Sequence, residues 1–344
     1  MREVHDGVMD LLVLGGTGWL SGEVARGAVA RGHRVTCLSR GAAVPTGAEH
    51  VRADRRDAHA LDPVAARRWD AVVDVASQPG FVRRAARALE SSAGWYGYVS
   101  SVSAYADHAV PGADEDAALL PPLRADETAS PEEYGAAKAA CEAAVTEAFG
   151  AGRRFVVRPG LIGGPGDPTG RTTYWPRRLT RNAEAGRLTL VPDAPDLPTA
   201  VIDVRDLAAW IVACAERGLA GVFDALGVLT PLAGHLRAAA GVGPGEPWPD
   251  GVVPAPQEWL QGRGVAQWVG PRSLPLWIAD PSMRAMNARS TLRAEAAGLG
   301  RRPLARTLAD AAREAEARGR AVADGAGLDD AEEAGLLSAL RARP

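Results

Sequence analysis

Apolar positions along the first half of the chain follow two alternating periods. Residues 11–14 (LLVL) form a continuous apolar run closed by glycines, the pattern of a strand buried on both faces. Apolar positions at Val24, Ala28 and Val29 then take the spacing of a helix face, which Gly32 ends. The same reading predicts strands at residues 33–38, 50–52, 71–75, 95–101 and 153–158, separated by helical stretches at 64–68, 81–89 and 132–149. This β-α-β alternation predicts an α/β fold: a doubly wound parallel sheet of Rossmann type, with ligands at the carboxyl ends of its strands.

After Pro159 the texture changes. Pro/Gly-rich loops alternate with shorter helices, and tryptophans stand at 175, 210, 248, 259, 268 and 277. The expected division is a first domain at residues 9–168, to which 201–220 return, and a smaller C-terminal domain over most of 169–344. The tail from residue 301 is expected to be Ala/Arg-rich helix. The first ten residues are polar, and Met9 offers an alternative start to Met1.

Composition narrows the function classes. The 344 residues are 47% hydrophobic and 24% charged, enough for a large core. A net charge of −3 gives no drive toward nucleic acid or anionic lipid. No apolar run approaches the roughly 18 residues of a membrane span, and the N-terminus has no apolar signal core, so a cytoplasmic protein without a membrane partner is expected. Cys37, Cys141 and Cys214 lack metal-ligand spacing and read as small buried hydrophobes, so no metal is expected. Lys138 is the only lysine among 39 basic residues. That bias suits a GC-rich bacterial genome and makes the one lysine informative.

Gly15, Gly18 and Ser21 take the spacing G-x-x-G-x-x-S between a strand and a helix. Glycines there let a pyrophosphate approach the backbone amides at a helix N-terminus, with Gly16, Thr17, Trp19 and Leu20 beside it. Ser21 departs from the usual third glycine. The second strand ends in Ser39 and Arg40, without the acid that would bond an NAD ribose. A hydroxyl and a guanidinium suit a 2′-phosphate, so NADP(H) is favoured over NAD(H). Asp54, after the third strand, is placed to meet the adenine amino group.

Tyr134 and Lys138 stand four apart in a helical stretch, on one face. An ammonium beside a phenol favours the phenolate, and a tyrosine so placed can pass a proton to a substrate oxygen. Y-x-x-x-K alone is weak evidence, but with five tyrosines and one lysine the spacing is rarely met by chance. Ser100, Ser101 and Ser103 follow the fifth strand. Alternation favours Ser101 as the hydroxyl that polarises a carbonyl, if Tyr98 and Ser100 share the other face.

These pieces resemble the extended short-chain dehydrogenase/reductase family of NAD(P)-dependent epimerases, dehydratases and reductases. The segments LGGTGWLSG, WDAVVDVAS, YVSSVSAY, YGAAK, VRPGLIGGPGD and VIDVRDLA occur in the family's order over residues 10–220. The resemblance implies Ser101, Tyr134 and Lys138 as catalytic residues and hydride transfer at a nicotinamide, with Ala76, Pro159 and Leu161 also at the cofactor. It implies a homodimer built on helices, the one holding Tyr134 among them. It makes residues 9–168 the dinucleotide-binding domain and the C-terminal part the substrate domain.

Leu161 stands where nucleotide-sugar epimerases of that family commonly carry asparagine, and the chain has only Asn182 and Asn287. The expected function is therefore an NADP(H)-dependent reductase of a small carbonyl metabolite. The alternatives are a nucleotide-sugar epimerase or dehydratase and, from another class, a non-catalytic dinucleotide sensor or RNA-binding relative. Tyr174 and Trp175 are candidate walls for a planar or apolar substrate, Arg171, Arg177 and Arg178 for an acidic one. Gln78 and His108 are further substrate candidates.

Overall fold

The apolar run at residues 11–14 forms the centre of a seven-stranded sheet. The computed structural model describes residues 7–41, 43–128, 130–243, 245 and 248–343; the start at Met1 lies outside them. The strands are β1 (Asp10–Leu14), β2 (Arg34–Ser39), β3 (Glu49–Arg52), β4 (Ala71–Asp74), β5 (Tyr96–Val99), β6 (Arg154–Pro159) and β7 (Gly221–Ala225). All pair in parallel, in the order β7-β6-β5-β4-β1-β2-β3. Growth of the sheet reverses between β1 and β4, so a crevice opens beyond their carboxyl ends. This is the doubly wound α/β fold that the alternation predicts. The seventh strand comes from beyond residue 220. It is short, opens on a glycine and carries Asp224, so its sequence shows no strand period.

The longer helices are α1 (Trp19–Ala30), α2 (Pro79–Leu89), α3 (Tyr134–Arg153), α4 (Tyr174–Glu184), α5 (Val204–Glu216), α6 (Leu304–Ala317) and α7 (Asp330–Arg341). Side chains of β1 point to opposite faces in turn. Leu11 and Val13 pack with α1 and α5, whereas Leu12 and Leu14 pack with α2 and α3. Each such fully buried side chain contributes about 1.5–3 kcal/mol. A further core gathers Tyr174, Trp175, Leu232, Trp277, Leu308 and Leu336 beside the sheet. The tail is helical, as two helices joined through the short strand Ala326–Gly327, which pairs with Gly270–Pro271. Cys37, Cys141 and Cys214 are buried and free. No described helix is long and apolar enough to cross a membrane.

Candidate functional site

The chain leaves β1 through the glycine loop and enters α1. Gly15 adopts φ +104° and the Gly18 amide donates to its carbonyl at 2.9 Å. The Ser21 hydroxyl donates to the same carbonyl, so this departure from glycine closes the loop. A Cβ at Gly16 would stand 2.4 Å from the Cys37 Sγ; only glycine lets the loop lie on the end of β2. The first turn of α1 has neither a side-chain cap nor an acidic residue. Its amides are left to a ligand, and an anion suits them.

Gly15, Thr17 and Gly18 border a pocket of about 590 Å³ together with Ser39, Arg40, Asp54 and Ala76. Gly16 lines a neighbouring hollow on the other side of the loop. The Ser39 hydroxyl lies 3.1 Å from the His50 Nε2. Arg40 is 62% exposed and stands 3.8 Å from Asp54 on the rim. Below the rim, Arg55 grips Asp74 at the end of β4 through two hydrogen bonds of 2.8 and 2.9 Å. Burial pushes the Asp74 carboxyl up, but the Arg55 charge and hydrogen bonds outweigh it and hold the group below its ordinary range. Sequence reasoning missed this pair; its one signal is an acid ending the apolar run AVVD.

Ser101, Tyr134 and Lys138 converge on a second, larger cavity of about 1020 Å³, which shares Gly18, Val75 and Ser77 with the first pocket. Lys138 is 3% exposed. Its ammonium donates to the carbonyls of Val99 at 2.8 Å and Ala76 at 3.1 Å. It stands 5.0 Å from the Tyr98 ring centre and 5.9 Å from that of Tyr134. Tyr134 is 38% exposed. A Cβ at Gly135 would meet the Ser103 carbonyl at 2.1 Å, so that glycine allows the start of α3 to touch the turn holding Ser101. The Ser101 Oγ accepts from the Ser103 amide and donates to its hydroxyl, both at 3.1 Å. Ser100 instead donates to Glu142, which Arg158 clamps at 2.7 and 2.9 Å. Ser100 thus serves the core and Ser101 faces the cavity.

Trp19, Leu20, Pro159 and Leu161 also line the large cavity. The substrate candidates other than Arg171 fall elsewhere. Gln78 borders the smaller pocket and exchanges hydrogen bonds with Thr128. His108 is buried under its loop, away from the cavity, where burial and Arg289 lower its pKa. Tyr174 and Trp175 are fully buried in the core beside the sheet; the Trp175 indole donates to the Pro275 carbonyl at 2.8 Å. They are packing residues at a helix start, turned inward by the apolar face of α4. Arg177 and Arg178 tie α4 to the C-terminal segment, through the Ala321 carbonyl and Asp330. Only Arg171 of the three arginines reaches the cavity. The opposite wall, Gln267 to Val269 and Ile278 to Met286 in part, gave no sequence signal because it lies about sixty residues beyond the motif VIDVRDLA.

No curated protein matches the sequence. Among solved structures, UDP-glucose 4-epimerase is similar at 18% identity and a TM-score of 0.60, over 90% of this chain and 98% of that one. WbmG of Bordetella bronchiseptica, solved with NAD and UDP, is similar at 17% identity and 0.59, over 93% and 98%. UDP-N-acetylglucosamine 4-epimerase of Bacillus cereus is similar at 19% and 0.52, over 73% and 87%. At these identities the likeness is one of fold. Residues 11–223 match the NAD dependent epimerase/dehydratase family, and the chain belongs to that family.

Proposed function

We propose that this chain is an NAD(P)-dependent enzyme that oxidises and reduces a carbinol carbon in the large cavity, in the manner of an epimerase or dehydratase. The carrying observation is that Ser101, from the turn after β5, and Tyr134 with Lys138, from α3, line one cavity that continues into the glycine-loop pocket. The residues fit a dinucleotide. The uncapped amides of α1 would hold its pyrophosphate, and the pocket beside Ser39 and Arg40 its adenosine. When bound, the nicotinamide supplies hydride acceptance and donation.

The protein's own residues do the rest. The hydroxyls of Ser101 and Tyr134 hold the substrate oxygen, and Tyr134 takes or returns its proton. An ammonium has three donors. Lys138 spends two on Ala76 and Val99 and keeps one for the cavity. Its charge stabilises the negative charge that develops on the phenol oxygen. Burial between two carbonyls suits a compact ammonium better than a planar arginine fork, which fits the one lysine in an arginine-biased chain.

Family membership and fold neighbours back the epimerase/dehydratase reading better than the carbonyl reductase that sequence reasoning placed first. The reductase remains a second reading because Leu161 lines the cavity in place of asparagine. Cofactor stoichiometry separates the two. An epimerase or dehydratase returns its hydride and runs on trace dinucleotide, whereas a reductase consumes NADPH mole for mole. In either case Tyr134→Phe is expected to cut turnover by about 10²–10⁴-fold while the protein still binds dinucleotide. Unchanged turnover in that variant would sink the proposal.

A further inference from the structure

Arg171 lies half-buried in the wall of the large cavity, and no carboxylate of the described residues pairs with it within 4 Å. Its Nε donates to the Thr169 hydroxyl at 3.1 Å. Its guanidinium carbon stands 5.2 Å from the centre of the Trp268 ring. Asp167 is already committed: its oxygens accept from the amides and hydroxyls of Thr169 and Thr172 at 2.7–3.1 Å. Burial lowers the pKa of Arg171, with Asp167 and the Tyr134 phenol opposing. A desolvated cation with no carboxylate in direct contact is costly, and such costs persist where a ligand meets them.

The platform beneath the guanidinium is itself strained. Trp268 adopts φ +70°, a left-handed conformation that side chains disfavour and that clusters at ligand clamps. Apart from Gln267, whose amide oxygen accepts from the Ala279 amide, the remaining wall is largely apolar: Leu161, Val269, Ile278, Met283 and Met286. Asp280, on the same rim, is occupied by the amide and hydroxyl of Ser282. A nucleotide diphosphate would bring several negative charges and a polar base. This wall offers it one guanidinium, one side-chain amide, a rim carboxylate and an otherwise largely apolar lining.

We propose that Arg171, stacked on Trp268, receives the carboxylate of the substrate, and that the substrate is a small acid with an apolar body rather than a nucleotide sugar. The inference rests on the reading of this cavity as the substrate site. Arg171 presents a planar fork to a planar carboxylate, near enough to Tyr134 for one small molecule to span both. The flexible methionines adapt to its apolar end.

The test uses the full chain saturated with NADP⁺, titrated calorimetrically with hexanoate, hexanamide and UDP. Hexanoate is expected to bind at least about tenfold more tightly than its neutral twin. Arg171→Met should reduce hexanoate to the level of hexanamide, and Arg171→Lys should retain part of the difference. Unchanged thermal midpoints show that both variants fold. Three results would each overturn the inference: no hexanoate binding or equal binding of acid and amide; a loss of NADP⁺ affinity in place of hexanoate affinity in Arg171→Met; or UDP displacing hexanoate through Arg171. Repeating the titration without NADP⁺ separates the two levels. Hexanoate binding through Arg171 in a chain that takes no dinucleotide keeps this inference and loses the proposed function. Turnover indifferent to substrate charge does the reverse.

Discussion

The two ends of the cleft are built in different ways. The end proposed for the dinucleotide is walled by Leu14, Gly15, Thr17 and Gly18, Leu38 to Gly41, Ala53 to Arg55 and Val75 to Gln78. Each of these segments follows one strand, and parallel pairing collects them at one edge. The substrate end joins Ser101 to Ser103, Pro159 to Ile162 and Thr169 with Arg171 to a wall from Gln267 to Met286. That wall reaches the cavity only because the second core packs beside the sheet. One end is therefore a property of local motifs, and the other of tertiary packing. The ends also treat buried charge differently. Beneath the dinucleotide pocket Asp74 is fully paired, with Arg55, the Tyr96 hydroxyl at 2.9 Å and the Ala76 amide at 2.9 Å. In the second core His235 is fully buried and neither ring nitrogen has a hydrogen-bond partner among the described residues.

Removing one member of the paired set should have the largest effect on stability. Arg55→Met leaves the Asp74 carboxylate buried without its cation and is expected to cost about 3–5 kcal/mol, read from urea unfolding near neutral pH. In the wild type the contribution of Asp74 has a definite pH window. Its folded pKa lies below the ordinary 3.8, so its stabilisation is complete above about pH 4 and is lost as pH falls further. Double replacement by Arg55→Met with Asp74→Leu should recover part of the loss, since an apolar pair leaves no stranded charge. A single variant as stable as wild type would erase the contrast between the two regions.

His235 sharpens the contrast at a different pH. Burial pushes its pKa down from 6.5 to about 4. Between those values the unfolded chain binds a proton that the folded chain does not, so stability is complete above pH 6.5 and falls as pH drops toward 4. The full window is worth about 3 kcal/mol. His235→Leu keeps the apolar packing of its helix and should flatten this limb, so that urea midpoints at pH 7 and pH 4.5 differ less than in the wild type. The same slope in variant and wild type would place the acid sensitivity elsewhere.

The same division explains what could be read from residues alone. The glycine loop, Ser101, Tyr134 and Lys138 were legible because each sits at a strand end or on one helix face, where spacing fixes direction. Ser101 was separable from Ser100 by strand alternation, and Ser100 does turn to Glu142. Tyr174 and Trp175 misled because aromatic residues beside a Pro/Gly loop serve a core as readily as a pocket, and the face of α4 that decides it depends on packing partners far along the chain. His108 misled because its loop is covered by residues near Arg289, about 180 positions away. Trp268 gave no signal, since its φ of +70° comes from tertiary packing around a non-glycine residue.

The smallest expected effect lies at the adenosine rim and probes a motif reading that geometry alone leaves as a proposal. Arg40 is the cation that the sequence offers to the 2′-phosphate of NADP(H), yet it is largely exposed and shares its rim with Asp54 at 3.8 Å. Solvent screens an exposed pair, so the carboxylate offsets the guanidinium only in part. Arg40→Ala should weaken NADPH binding about tenfold or less and leave NADH within error, as read by fluorescence titration of both dinucleotides. Asp54→Asn should shift NADPH the opposite way by removing the competing acid. Equal changes for the two dinucleotides would show that Arg40 serves the pyrophosphate or nothing at all. The acid absent from the end of β2 would then leave NAD(H) and NADP(H) undiscriminated at this rim.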